Sequence, residues 1–190
     1  MSPFEYVSVL ISIVLGLGIT QIVTGVADLI QHNSRTKIFW PHLLWAFLVF
    51  FLHLQEWWLL FDLRHDTVWR LPVFLFTLLY PINLFILARL LFPSDWSLVA
   101  IDLRAYYFAN YRKFFFLICL LSVLSIIDNT FILQRALMDS LVPILLLILL
   151  LSLIRLNYQQ EWVHQLVVVL LFVVMVGSFI WNWNVWVLTH

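Results

Sequence analysis

The chain has 190 residues, of which 64% are hydrophobic and only 11% are charged, and its mean hydropathy is +1.03. A water-soluble domain of this length could not cover so much apolar surface with polar side chains, so the composition excludes a soluble globular protein. Ten Lys and Arg residues balance ten Asp and Glu residues, and no basic cluster interleaved with aromatic residues lies outside the apolar runs, which argues against nucleic-acid binding. The lipid bilayer is the expected partner of most of the chain.

The apolar runs predict an all-α, polytopic membrane helix bundle that forms a single transmembrane domain over residues 1–190. Each run is near the roughly 20 residues that a helix needs to cross the hydrocarbon layer. The predicted spans are residues 3–30, 38–62, 69–91, 114–133, 137–156 and 161–188. The short connections between them favour a simple up-and-down bundle.

Residues 94–112 differ from the spans because they mix aromatic residues with charged ones. This stretch contains Trp96, Tyr106 and Tyr107 together with Asp102 and Arg104. Such a segment is too polar to span, and its aromatic, amphipathic character is typical of a helix that lies at the headgroup level. We therefore predict one interfacial helix at about 94–112.

The first span begins with a helix-start signal and contains a stripe of small residues. Ser2, Pro3 and Glu5 form a predicted capping box, with the Glu5 carboxylate at the positive end of the helix dipole. Small or hydroxylated residues then recur at every fourth position, which favours close approach of another helix. This predicted helix-packing seam consists of Ser8, Ser12, Gly16, Thr20 and Thr24. The alternative is a polar path for water or a small solute.

The second span carries the most unusual polar residues of the chain. His42, His53 and Glu56 lie on one helical face at 100° per residue, whereas Gln55 is expected to point away from it. A carboxylate near the bilayer centre costs on the order of 2.5 to 3.5 kcal/mol. Glu56 should therefore face the bundle, either protonated or hydrogen-bonded.

The third span contains Pro81, which frees a backbone carbonyl group inside the helix. Asn83 follows half a turn later. It is predicted either to satisfy that carbonyl group, which is the simpler interpretation, or to line a cavity.

The predicted topology collects polar groups in one half of the bundle, and no Lys or Arg is assigned to that depth within the spans. Carboxylates and carboxamides without a matching base are suited to a cation, a proton relay or an amine-bearing solute. The alternative is that the residues at span ends are interfacial and that Glu5 is only a helix cap. The predicted group consists of Glu5, His53, Glu56, Asp128, Asn129, Asn182 and Asn184.

Metal and haem sites are two further alternatives. His53 and Glu56 are spaced i, i+3 and could both reach one metal ion, but no further ligand is evident at that depth. His42 and His164 are expected at one depth on two spans, as a bis-histidine haem would require. The sequence does not by itself predict a cofactor. Because Cys119 is the single cysteine, an intrachain disulfide cannot form.

The distribution of cations predicts the orientation. The first, third and fifth loops and the adjoining helix ends hold seven Lys and Arg residues: Arg35, Lys37, Arg89, Arg104, Arg112, Lys113 and Arg155. The other side holds three: Arg64, Arg70 and Arg135. The positive-inside rule therefore predicts that both termini face outward.

Four short strings resemble a group of small bacterial integral membrane proteins without an assigned activity. They are Phe4-Glu5-Tyr6, Gly16-Leu17-Gly18-Ile19-Thr20, Gln55-Glu56-Trp57-Trp58 and Asp102-Leu103-Arg104-Ala105-Tyr106-Tyr107. The resemblance implies a bacterial inner-membrane location and assigns no functional residue.

Three functions follow as hypotheses from this pattern. The first is a small transport or channel unit for a cation, proton or small solute, in which Glu56 and His53 bind or relay the cation. The second is a sensor or assembly subunit that binds another membrane protein or a second copy through the seam. The third is a b-type haem protein. The sequence has no phosphate-binding loop, Gly-x-Ser-x-Gly or His-Glu-x-x-His motif, so it does not favour an enzyme.

Overall fold

A computed structural model describes residues 2–65, 69–96, 100–132 and 136–181. The described chain forms six helices that are long and apolar enough, by length and composition, to cross a membrane. They are α1 (Pro3–Gln31), α2 (Trp40–Leu59), α3 (Leu71–Leu90), α4 (Leu103–Ile127), α5 (Leu141–Arg155) and α6 (Glu161–Trp181). The fold is the all-α helical bundle that the apolar runs predict.

Short elements join these helices. Two strands of two residues each, β1 (Thr36–Lys37) and β2 (Ile101–Asp102), pair in parallel and tie the α1–α2 connection to the α3–α4 connection. Short 3-10 helices cover Asn33–Arg35, Leu60–His65 and Leu137–Ser140, and a π-helical turn, Asp128–Ile132, continues α4. The predicted end of the sixth span, with Asn182 and Asn184, lies outside the described residues, as does Arg135.

The predicted interfacial helix at 94–112 is corrected by the structure, because residues 103–112 are the first turns of α4. Asp102 caps this helix, since its Oδ1 atom accepts a hydrogen bond from the Ala105 amide at 3.0 Å. Leu103, Tyr107 and Tyr111 then follow at four-residue spacing and are buried in the bundle. The aromatic face that suggested a membrane surface packs inward, whereas Arg104, Arg112 and Lys113 of the same stretch are exposed.

Helix α1 uses two glycines to approach its neighbours. A Cβ atom at Gly18 would lie 2.1 Å from the His53 Nε2 atom, and one at Gly25 would lie 2.2 Å from the Phe92 ring. Only glycine lets these rings pack directly on the helix backbone. The inner face of α1 consists of Val7, Ile11, Leu15, Gly18, Ile22, Gly25 and Leu29.

Helix α2 occupies the middle of the bundle, because it packs against α1, α3, α4 and α6. Trp45, Ala46 and Val49 on this helix are almost fully buried. Helix α4 also packs against α3 and α5. Helix α5 therefore contacts α4, whereas α6 contacts α2. The polar face of α2 is therefore enclosed by protein for most of its length.

The helices define two ends of the bundle. The N-terminal end holds the start of α1 and the connections α2–α3 and α4–α5. The opposite end, here called the basic end, holds the connections α1–α2, α3–α4 and α5–α6 and all seven cations that the topology assigned there. At the basic end Arg104 and Glu161 form an ion pair at 2.7 Å, and His32 stacks on Trp96 with ring centroids 5.6 Å apart.

Helix α3 runs through Pro81 without a break, and Asn83 has a role other than the predicted one. The Asn83 Nδ2 atom donates to the Leu117 carbonyl of α4 at 2.9 Å. The residue therefore links two helices and does not satisfy the carbonyl group that Pro81 frees. Its side chain points across to α4, which a helical wheel for α3 alone could not reveal.

Candidate functional site

A cavity of about 130 Å³ lies between α2, α3, α4 and the 3-10 helix Leu60–His65, toward the N-terminal end. It has room for several water molecules. Leucines of α2 and of the following 3-10 helix form its apolar wall. Its polar lining consists of Gln55, Glu56, Asp62, Thr77, Tyr80, Ser125, Asp128 and Asn129. No Lys, Arg or His is among its described lining residues.

Glu56 contributes the carboxyl group of α2. It lies one turn before the end of the helix and is half-buried because it faces the cavity. Asp128, which follows α4, and Tyr80 of α3 line the same cavity. The structure therefore brings together two of the carboxylates predicted as a group, from helices that are far apart in the sequence.

Asp128 and Asn129 are positioned by the π-helical turn that ends α4. Both side chains are half-buried and line the cavity, and the Asn129 Nδ2 atom donates to the Ser140 hydroxyl at 3.4 Å. A π-helical turn changes the direction of the side chains relative to a continuing α-helix and is frequent at functional sites. These two residues therefore line the cavity from the end of α4.

Tyr80 marks the deep side of the cavity. It lies nine residues after the start of α3, which places it roughly 13 Å along the helix at 1.5 Å per residue. Thr77, one turn earlier, also lines the cavity, and its carbonyl cannot accept the usual helical hydrogen bond because Pro81 has no amide hydrogen. The sequence contained a signal for this site in Pro81.

His53 does not line this cavity, although it precedes Glu56 by less than one turn. It is fully buried, its Nδ1 atom donates to the Val49 carbonyl at 2.7 Å, and its Nε2 atom lies against the Gly18 backbone of α1. The ring is therefore packed between α1 and α2. Within the described residues no group of three or more His, Cys, Asp or Glu side chains could hold a metal ion.

Glu5 lies at the N-terminal end but outside the cavity lining. The Ser2 amide donates to Glu5 Oε2 at 2.8 Å, and the Glu5 amide donates to the Ser2 hydroxyl at 3.1 Å. This is the predicted capping box, with both reciprocal hydrogen bonds present.

The two histidines considered for a haem hold other partners at the basic end. His42 Nε2 bonds to the Leu91 carbonyl at 2.6 Å, and His164 Nε2 bonds to the Tyr158 carbonyl at 2.9 Å. The remaining His164 nitrogen, Nδ1, accepts a hydrogen bond from the Tyr107 hydroxyl at 2.9 Å, and the Tyr107 ring contacts both imidazoles. This aromatic packing leaves no room for a porphyrin between the two histidines.

The stripe of small residues on α1 faces away from the other helices of the chain. Gly16, Thr20 and Thr24 are exposed, Ser8 and Ser12 are half-buried, and a Cβ atom at Gly16 would meet nothing within 4 Å. The Thr20 hydroxyl donates to the Gly16 carbonyl at 2.8 Å, so it is satisfied within its own helix. The stripe therefore makes no intramolecular seam, because α1 packs through the face that holds Gly18 and Gly25.

Five polar residues of the cavity were not predicted from the sequence as site residues: Gln55, Asp62, Thr77, Tyr80 and Ser125. Gln55 was expected to point away from the polar face, yet it lines the cavity together with Glu56. The cavity continues past the end of α2 into the 3-10 helix, and its lining is wider than the narrow face that one ideal helix defines.

No protein-family model, curated protein or solved structure matches the chain.

Proposed function

We propose that this multi-pass membrane protein binds and passes a cation, with Glu56 and Asp128 as the binding carboxylates. The observation that carries the proposal is that carboxyl groups from two helices face one cavity between membrane-spanning segments. Candidate solutes are a proton, a small metal cation or a small amine.

The charge of the lining supports this assignment. Placing a carboxylate inside a membrane costs a few kcal/mol, so Glu56 and Asp128, which share the cavity with Asp62, need compensation. The described lining offers no cationic side chain, whereas the Tyr80 hydroxyl and the Asn129 carboxamide can act as further oxygen donors. A bound cation supplies the compensation.

The test is flux into liposomes that contain the purified protein. A trapped pH-sensitive dye reports protons under a potassium diffusion potential, and radioactive sodium and methylammonium report the other two classes of cation. We expect uptake of at least one of them, and a fall of about tenfold or more in Glu56→Gln and in Asp128→Asn, because losing a hydrogen bond to a charged group costs about 1.5–3 kcal/mol.

Two variants serve as matched controls. Asp139→Asn removes an exposed carboxyl group near the same end of the bundle, and His53→Leu replaces the packed imidazole next to Glu56. Both should keep wild-type flux. Flux of all three probes equal to that of protein-free liposomes would refute the proposal.

We further propose that the basic end faces the cytoplasm of a bacterial inner membrane, with both termini outside. The support is the seven cations at that end against Arg64 and Arg70 among the described residues of the other.

A second candidate function is an assembly or sensor subunit that binds another membrane protein or a second copy through α1. The exposed stripe around Gly16 favours it, because open space surrounds this glycine. Gly16→Leu should then dissociate a complex that copurifies in mild detergent while the isolated chain keeps its stability. A wild-type chain that is monomeric and purifies alone would count against this candidate.

A further inference from the structure

Helices α4 and α5 pack against each other, and the part of this contact near the basic end, here called the α4–α5 junction, carries three exposed cations. Arg112 and Lys113 lie early in α4, and Arg155 lies in the last turn of α5. An Arg112 Nη2 atom donates to the Ile154 carbonyl at 3.2 Å, so this guanidinium reaches the turn that holds Arg155. Arg112 therefore lies beside the end of α5, and Lys113 follows it directly in the sequence, so the three cations lie at one level of the bundle.

The local fold fixes this junction. Asn157 adopts the left-handed conformation (φ 49°) just after α5, and the Tyr158 amide donates back to the Leu153 carbonyl at 3.2 Å. The Tyr111 hydroxyl of α4 donates to Asn157 Oδ1 at 2.9 Å. These hydrogen bonds hold the end of α5 against α4 and fix the backbone near Arg155.

No acidic side chain among the described residues forms an ion pair with these three cations. The nearest acid along the chain, Glu161, bonds to Arg104 at 2.7 Å and to Gln165 at 3.0 Å. The cluster therefore keeps a net charge of about +3 that an external anion can neutralise.

Below the cations, toward the middle of the bundle, both helices present apolar surface. On α4, Phe116 is 60% exposed and falls within the arc between Arg112 and Lys113, and Leu120 continues the same face. On α5, the exposed Ile148 and Leu151 lie on the face that ends at Arg155. Each of the two helices thus carries exposed apolar side chains below its exposed cations.

We propose that the α4–α5 junction at the basic end is a binding site for an anionic phospholipid. The phosphate group contacts Arg112, Lys113 and Arg155, and the acyl chains lie along Phe116 and Ile148. An anionic lipid matches both the charge and the apolar wall, whereas a soluble anion would use only the charge. This site is independent of the carboxylate cavity and would persist if the chain transported nothing.

The test is native mass spectrometry of the detergent-purified protein, titrated with phosphatidylglycerol or with phosphatidylcholine that has the same acyl chains. We expect phosphatidylglycerol to bind the wild type more tightly. The double variant Lys113→Gln/Arg155→Gln should weaken this binding about thirtyfold, because each cation near the headgroup contributes about 1 kcal/mol. Phosphatidylcholine binding should be unchanged, which also shows that the variant is folded.

The matched control is Arg35→Gln/Lys37→Gln, which removes two exposed cations from the same end of the bundle. Arg35 and Lys37 lie in the connection between α1 and α2, so neither belongs to the α4–α5 junction. This control should keep phosphatidylglycerol affinity within about twofold, the change expected when no phosphate contact is lost. Equal loss in both double variants, or equal affinity of the wild type for the two lipids, would overturn the proposal.

Discussion

Single residues decide how the polar face of α2 is used. His53 and Glu56 are neighbours on one helix, yet His53 packs on Gly18 of α1 and Glu56 faces the cavity. The sequence predicted that both residues face the protein, and in the structure His53 is fully buried and Glu56 is half-buried. The sequence could not predict that the two side chains have different surroundings, because Gly18, on which the imidazole packs, is more than thirty residues away in the chain.

Gly18→Ala should destabilise the protein, because the added Cβ atom would lie 2.1 Å from His53 Nε2 and the ring has no space to retreat. Overpacking of this kind costs about 1–3 kcal/mol. The thermal unfolding midpoint in detergent should fall by several degrees, at about 2–4 °C per kcal/mol for a chain of this size.

Gly16→Ala is the control on the same helix. Its Cβ atom would meet nothing within 4 Å, and alanine has the higher helix propensity, so stability should be equal or slightly higher. Identical midpoints for the two alanine variants would show that α1 does not approach α2 as described.

Helix α4 is the element whose bounds the sequence predicted least well. The predicted span began at residue 114, whereas the helix begins at Leu103 and buries the aromatic residues that resembled an interfacial segment. Aromatic and charged residues are common both at the headgroup level and in helix contacts near the membrane boundary. Only the partners of Tyr107 and Tyr111 on other elements distinguish the two.

Tyr107→Phe should weaken the contact between α4 and α6. The variant removes the hydroxyl that donates to His164 Nδ1 and leaves that buried nitrogen without its partner, which costs about 1–3 kcal/mol. The unfolding midpoint should fall accordingly. Tyr158→Phe, which removes only the exposed hydrogen bond to Gln160, should have no measurable effect. If the Tyr107 variant melts like the wild type, the hydroxyl does not hold the two helices together.

At the scale of the whole molecule, the sequence predicted the number of spans and their alternation, because lipid requires long apolar helices and little else. It did not predict the cavity. Glu56, Tyr80 and Asp128 meet there from three helices, and each helix pattern alone is compatible with several rotations about its axis.

The orientation can be tested with single cysteines in a Cys119→Ser background. Ser34→Cys reports the basic end and Asp139→Cys the N-terminal end, and both positions are exposed. In intact cells a membrane-impermeant maleimide should label position 139 and should label position 34 only after permeabilisation. The reverse pattern would place the cavity on the cytoplasmic side.

Glu56 and Asp128 are proposed to act on the same cation, and a double-variant cycle tests this most directly. Flux into liposomes is measured for Glu56→Gln, Asp128→Asn and the double variant Glu56→Gln/Asp128→Asn. If both carboxylates bind one cation, the double variant should lose scarcely more flux than either single variant, so the two effects will not add. Additive losses, or unchanged flux in either single variant, would contradict a shared site.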